Sequence, residues 1–257
     1  HLARKLAGTN ADTPRVHVVR YADDFIITAA TKELLTDEVI PWVEQFLSVR
    51  GVSLSEEKTQ ITHILQGFDF LGWNFRKYVP KSPYRRTKLF IKPSKKNIST
   101  FYRKVREIVK TSGALTQEEL IGRLNPVLKG WAQYHSPAVA KKAFSRLDSL
   151  IVWLLRRWAK RRHPKKQANW CRNRYFHSIG KRNWVFAHPY RGKKGERKFC
   201  QLYQLADTEI RRQPRLSGGY HPYDAKHEEK WEKLRVRRMQ HKLHFRKQIL
   251  YLFTRQK

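Results

Sequence analysis

Charge is divided unevenly along this chain. Residues 1–80 carry 9 Lys/Arg and 10 Asp/Glu, whereas residues 81–257 carry 46 and 11. Almost the whole net charge of +34 therefore belongs to the second part. Positive charge at this density repels itself in a compact fold unless an anionic partner neutralises it. Hydrophobic residues make up 40% of the 257 positions, enough to pack cores, which excludes a wholly disordered basic tail. No apolar run approaches the ~18 residues that span a bilayer, and residues 1–8 lack the apolar stretch of a signal peptide. Binding to an anionic membrane surface calls for a concentrated amphipathic stripe. Here Lys and Arg are spread over residues 81–257 with Trp, Tyr and Phe between them. Aromatic rings stack on unpaired bases and cations meet phosphates, so nucleic acid is the expected partner and a membrane is not. Two cysteines, Cys171 and Cys200, cannot build a disulfide framework, which fits a reducing compartment. The single methionine, Met239, is internal, so the sequence reads as part of a longer product.

The elements divide as the charge does. Residues 15–20 and 25–28 are β-branched and apolar around Tyr21-Ala22-Asp23-Asp24, which predicts a β-hairpin with two carboxylates at its tip. Helical spacing of Leu34, Leu35, Val39, Trp42, Val43, Phe46 and Leu47 predicts a helix over 32–49, kinked at Pro41 and closed by Gly51. Residues 59–65, 68–75 and 87–92 read as strands. Beyond Pro93 the pattern turns helical. Ile98, Phe101, Val105, Ile108 and Val109 mark one helix. Thr116 and Glu119 form a capping box before a second, with Pro126 as an expected kink. Ser136-Pro137 reads as the cap of a third, running to about Arg162. Three helices with short loops predict a bundle. Residues 163–166 read as a linker to a less regular basic segment, ending in a helix over about 228–253. The expected fold class is α+β, with segments 1–92, 93–166 and 167–257.

Adjacent carboxylates on a tight turn repel each other unless a cation sits between them. Mg²⁺ is the natural candidate, a hard cation with oxygen ligands that also binds phosphates. Taken alone, an Asp-Asp pair in a hairpin is more often a solvated turn; the aromatic before it, the apolar strands around it and the basic chain after it reverse those odds. RYADDFII resembles the palm motif of reverse transcriptases. LSEEKTQITHI followed by FDFLGWNF resembles the palm segments that come next, including the primer grip. GRLNPVLKGWAQYH is similar to the thumb, or maturase (X) domain, of group II intron-encoded proteins. NRYFHSIGKRNWVFAH and the segment from Leu205 to Arg235 resemble their DNA-binding region.

This resemblance implies an RNA-directed DNA polymerase and maturase: it binds group II intron RNA, assists splicing and supports target-primed reverse transcription during intron mobility. It implies that Asp23 and Asp24 hold Mg²⁺ in a two-metal site completed by an aspartate upstream of this chain. Phe70, Leu71 and Gly72 would place the primer end. RNA or an RNA–DNA duplex would meet Arg85, Arg86, Lys88, Lys95, Lys96, Arg103, Lys104, Arg161, Arg162, Lys165 and Lys166. Target DNA would meet Arg211, Arg212 and Arg215. The remainder of the reverse transcriptase is an expected partner, and the chain alone is expected to be inactive. The expected location is the bacterial cytoplasm, on the nucleoid when bound to DNA, or an organelle. The alternative is a non-catalytic RNA-binding splicing factor. Cys171, His177, His188 and Cys200 are spaced too widely for a structural zinc site. Trp131, Trp153 and Trp158 are expected in the core.

Overall fold

The computed structural model describes residues 16–80, 82, 84, 86–192 and 195–212, and beyond these 228, 229, 231–234, 236 and 251. It is a mixed helix-and-sheet fold, as the α+β reading requires. The β-branched runs pair as expected: β1 (His17–Tyr21) and β2 (Asp24–Thr28) are antiparallel, with Tyr21 opposite Asp24. The turn is therefore Ala22-Asp23, and Asp24 already belongs to the second strand. Ala22 has φ +51° and Asp23 does not share it, the φ pattern of a type II′ turn, which ordinarily takes Gly at its first position. Arg20 Nε braces the turn by donating to the Ala22 carbonyl at 2.8 Å.

A π-helical turn over Leu34–Val39 leads into α1 (Ile40–Ser48). The helical run is unbroken from residue 32 to Ser48, as expected, and Pro41 sits inside it directly after the π-helical turn, where the regular i to i−4 ladder is already interrupted. Gly51, at φ +68°, reverses the chain after it as expected. Val16, Val39 and Val43 form a small core with Ile27, Leu34, Leu35, Leu47 and Leu54 around it.

Two strand expectations are corrected. Residues 59–65 are turn and coil. The His63 carbonyl accepts both Gln66 N–H and Gly67 N–H, and Gly67 sits at φ +82°, so the segment folds back instead of extending. Residues 68–75 are not one strand but a hairpin: β3 (Phe68–Phe70), a Leu71-Gly72 turn, then β4 (Trp73–Tyr78). β4 pairs on its other side with β5 (Lys88–Pro93), the strand expected there, giving the antiparallel order β3-β4-β5.

The three expected helices form: α2 (Lys95–Thr111), α3 (Gln117–His135) and α4 (Lys141–Arg162). The Ser94 hydroxyl caps α2 by accepting Asn97 N–H at 3.1 Å. Both halves of the Thr116–Glu119 capping box are made. Pro126 lies within α3, which continues to His135. Ser136 ends α3 instead of starting the next helix, and Ala140 is the N-cap of α4. Between them Val139 N–H donates to the Ile91 carbonyl at 2.8 Å, so a strand edge sets where α4 begins. Leu120, Ile121, Leu124, Leu128, Phe144, Leu147 and Leu155 are wholly buried between the helices. Trp158 is buried with them and donates its indole N–H to the Ser112 carbonyl at 2.8 Å. Trp131 is partly buried against this core. Trp153 departs from expectation: it is 61% exposed, because it lies across α4 from the inward stripe of Phe144, Leu147, Ile151 and Leu155.

This core does not stop at residue 166. Cys171 and Tyr175 of α5 (Ala168–Tyr175), Phe176, Phe186, Leu202 and Leu205 belong to it. An antiparallel sheet follows α5: β6 (Phe176–Ile179), β7 (Arg182–Arg191) and β8 (Arg197–Gln201). The Asp148 carboxylate accepts the N–H groups of Leu205 and Ala206, both at 2.9 Å. Gln117 donates to the Tyr175 carbonyl at 2.8 Å. The 166/167 junction thus lies inside continuous packing, and the two compact units divide between Ile210 and Arg211. The terminal helix expected over about 228–253 falls largely outside the described residues; positions 228, 229, 231–234 and 236 are helical.

Candidate active-site turn and nucleic-acid interface

The Leu71-Gly72 turn is held from three directions. Both residues have positive φ, +48° and +77°, the geometry of the tight turn joining two twisted strands. Gly72 is required twice over, since a Cβ there would meet Asn97 Nδ2 at 2.7 Å. Ser94 N–H donates to the Gly72 carbonyl at 2.9 Å, so the first turn of α2 grips one side. From α3, the Tyr134 hydroxyl donates to the Leu71 carbonyl at 2.6 Å. The Tyr134 ring also stacks on Trp73, with centroids 4.9 Å apart.

Behind this stack runs a closed polar chain. Trp73 Nε1 donates to His135 Nδ1 at 2.8 Å. An indole nitrogen is only a donor, so His135 carries its proton on Nε2 and donates to Asn97 Oδ1 at 3.0 Å. Asn97 Oδ1 also accepts from Trp131 Nε1 at 2.8 Å. His135 is wholly buried, and that burial lowers its pKa to about 4, so the ring stays neutral. A second proton on Nδ1 would face the Trp73 N–H. Tyr134 is pushed above the ordinary phenol range, first by burial and then by the nearby Tyr21 phenol.

Asp23 and Asp24 are exposed at the hairpin end. Their oxygens suit a hard cation. Among the described residues no cluster of three or more His, Cys, Asp or Glu is placed to hold a metal ion, so the hairpin contributes two carboxylates and no third. His188 does pair across the sheet with Cys200, while Cys171 is buried in the helical core.

The basic residues fall into different circumstances. Arg86, Lys88, Lys95, Lys96, Arg103, Lys104, Arg161, Lys165 and Lys166 are exposed. Arg162 is engaged within the fold: it donates to the carbonyls of Gly113 at 2.8 Å and Leu115 at 2.5 Å, and its guanidinium lies 4.9 Å from the Trp158 centroid. Arg211 and Arg212 are exposed, and Arg85 and Arg215 lie outside the described residues. Tyr134, His135 and Asn97 are the residues that sequence reasoning did not single out. The available signal was two polar groups, His135 and Asn97, placed on otherwise apolar helical faces.

A family model described as "Reverse transcriptase (RNA-dependent DNA polymerase)" matches residues 1–75. One described as "Group II intron, maturase-specific domain" matches residues 98–176. Among curated proteins, the chain is 30% identical over 100 residues to "Maturase-like protein 1" of Euglena longa, and 28% identical over 138 residues to the protein of that name from Euglena gracilis. These alignments take in 38% and 49% of this chain but 20% and 28% of the relatives, so the chain spans well under half of their length. The acidic hairpin thus falls in a segment similar to reverse transcriptases, and the Tyr134 clamp in a segment similar to the maturase-specific domain of group II introns.

Proposed function

We propose that this chain supplies the end of the palm and the thumb of a group II intron-encoded reverse transcriptase and maturase. The observation that carries the reading is the Leu71-Gly72 turn, which lies in the segment similar to reverse transcriptases and is held by Tyr134 of the segment similar to the maturase-specific domain. Asp23 and Asp24 would hold Mg²⁺, with Asp23 the stronger candidate for direct coordination. When bound, the metal would activate a primer 3′-hydroxyl and stabilise departing pyrophosphate. The Leu71-Gly72 turn, fixed by hydrogen bonds on both carbonyls, would place the primer end. Exposed Arg86, Lys88, Lys95, Lys96, Arg103, Lys104, Arg161, Lys165 and Lys166 would meet phosphates of intron RNA or of an RNA–DNA duplex, reading shape more than sequence. Arg211, Arg212 and Arg215 would meet target DNA. Each face of the β1–β2 hairpin carries an exposed apolar side chain, Val18 at 43% and Val19 at 57%, which supports the remainder of the polymerase as a partner. Two carboxylates from one turn do not make a converging two-metal site, so this chain alone would not extend a primer. No helix among the described residues is long and apolar enough to cross a membrane, and the Euglena relatives favour an organelle over a bacterial cytoplasm.

A second reading, a maturase without polymerase activity, is favoured by the name of the Euglena relatives, which are called maturase-like. One experiment separates the two. In the full-length protein, Asp23→Asn and Asp24→Asn are expected to abolish cDNA synthesis while leaving intron splicing largely intact. Unchanged cDNA synthesis in both variants contradicts the catalytic assignment. A wild-type protein that splices but makes no cDNA supports the second reading.

A further inference from the structure

The outward side of α4 is built differently from the other basic surfaces. Lys142, Arg146, Ser149, Trp153, Arg156 and Lys160 follow one another at steps of four and three, which places them on a single stripe. All six are exposed. At 1.5 Å per residue the stripe runs roughly 27 Å. The only acid on α4 is Asp148, and its carboxylate is occupied by the Leu205 and Ala206 N–H groups. Among the described residues no carboxylate pairs with Lys142, Arg146 or Arg156. Lys160 is anchored through the Pro164 and Lys166 carbonyls at 3.2 and 2.6 Å, bonds that leave its charge in place. At the centre stands Trp153, 61% exposed, with the Arg156 guanidinium 5.5 Å from its ring centroid.

A uniformly cationic stripe needs only Lys and Arg to attract a polyanion. An indole left in water at its middle adds nothing to that attraction. It does add a flat apolar face of the size of a base, flanked by cations for the neighbouring phosphates. Base-on-aromatic stacking requires an unpaired base, because a base within a duplex already has its faces covered. We infer that the outward stripe of α4 is a docking site for RNA carrying an unpaired base, which stacks on Trp153 while Arg146 and Arg156 hold the phosphates beside it. This rests on the RNA-binding part of the function proposed above and refines it: the other basic residues read duplex shape, whereas this stripe selects a loop, bulge or free end.

The test uses the intact 257-residue chain and two probes: a hairpin RNA with a purine-rich loop, and a blunt RNA duplex of the stem sequence. Trp153→Ala is expected to weaken the loop RNA by about 5- to 150-fold, the range of one stacked base, and to leave the duplex unchanged. Trp153→Phe is expected to recover most of the loss. Arg156→Ala is expected to weaken binding to the loop RNA and lower its salt slope by roughly one. Circular dichroism of each variant should match the wild type, since Trp153 lies outside the core. Unchanged affinity of Trp153→Ala for the loop RNA, or equal losses on loop and duplex, overturns the inference. Binding of the chain to phosphatidylserine vesicles that is lost in Trp153→Ala, without loss on RNA, assigns the stripe to lipid and also overturns it. If the wild-type chain binds neither RNA at low salt, the proposed RNA-binding function itself fails, and the inference with it.

Discussion

The acidic hairpin and the three-helix bundle of α2 to α4 are opposite kinds of structure. β1 and β2 make one two-stranded ribbon over a small core of Val16, Val39 and Val43, with β1 exposed along its length and Ile26 and Ile27 of β2 half-buried. A two-stranded ribbon is marginal in water unless something else packs on it. Helices α2 to α4 bury Trp158, Phe144 and a run of leucines and isoleucines completely, satisfy their ends with a Ser94 cap and a capping box, and extend their core into α5 and the β6–β8 sheet. The contrast separates chemistry from support. The carboxylates stand on the weaker element, and the Leu71-Gly72 turn is fixed by the stronger one through Tyr134, Ser94 and Asn97.

Deleting a core ring should give the largest effect and should fall on one side of the contrast. Phe144→Ala is expected to cost about 3–5 kcal/mol, because its ring is fully buried and touches Trp131. Chemical denaturation of the chain would read it. Val19→Ala, in the exposed ribbon, is expected to cost under about 0.5 kcal/mol by the same measurement. A cost at Val19 comparable with that at Phe144 would erase the distinction.

Acid should loosen the clamp next. His135 has a folded pKa of about 4 against an ordinary value of 6.5, so the unfolded chain binds a proton in that window and the folded chain does not. Its contribution is therefore complete above pH 6.5 and lost as pH falls towards 4, for roughly 3 kcal/mol in all. Stability measured across that range should show the loss, and His135→Gln should flatten it. A smaller effect is expected from Thr116→Ala, which removes half of the capping box at about 1 kcal/mol, visible as a lowered melting temperature. The smallest is Ala22→Gly, which relieves the positive φ at the acidic turn and should change global stability by about 0.5 kcal/mol or less.

The legibility of these regions follows their physics. The hairpin was readable because its β-branched runs flank a short polar break, and the helical bundle because apolar spacing and the Thr116–Glu119 pair are local signals. The Leu71-Gly72 turn was hidden inside an apparent strand: Gly72 hints at a turn, but Leu71 at φ +48° gives no sign, being held there by Tyr134, distant in sequence. Ser136-Pro137 has the local chemistry of a helix start, yet α3 runs through His135, which Trp73 and Asn97 secure, and Ser136 serves as its end. Residues 59–65 alternate like a strand, but strand preference is realised only against a neighbouring strand and a buried face. Trp153 was assigned to the core on its size, although its position opposite Ile151 and Leu155 already placed it outside. The resemblance to reverse transcriptases and group II intron maturases is carried by local motifs, and the family models match the same segments; the network joining them needs three dimensions.

Native-state hydrogen exchange on the intact chain tests the contrast most directly. Amides of α2 to α4 are expected to exchange only through global unfolding, and amides of β1 and β2 through a local opening of much lower free energy. The Trp73 amide should follow the helices and not the hairpin. Equal protection of the hairpin and the three helices would contradict the account, because the acidic ribbon would then be as self-sufficient as the helical bundle.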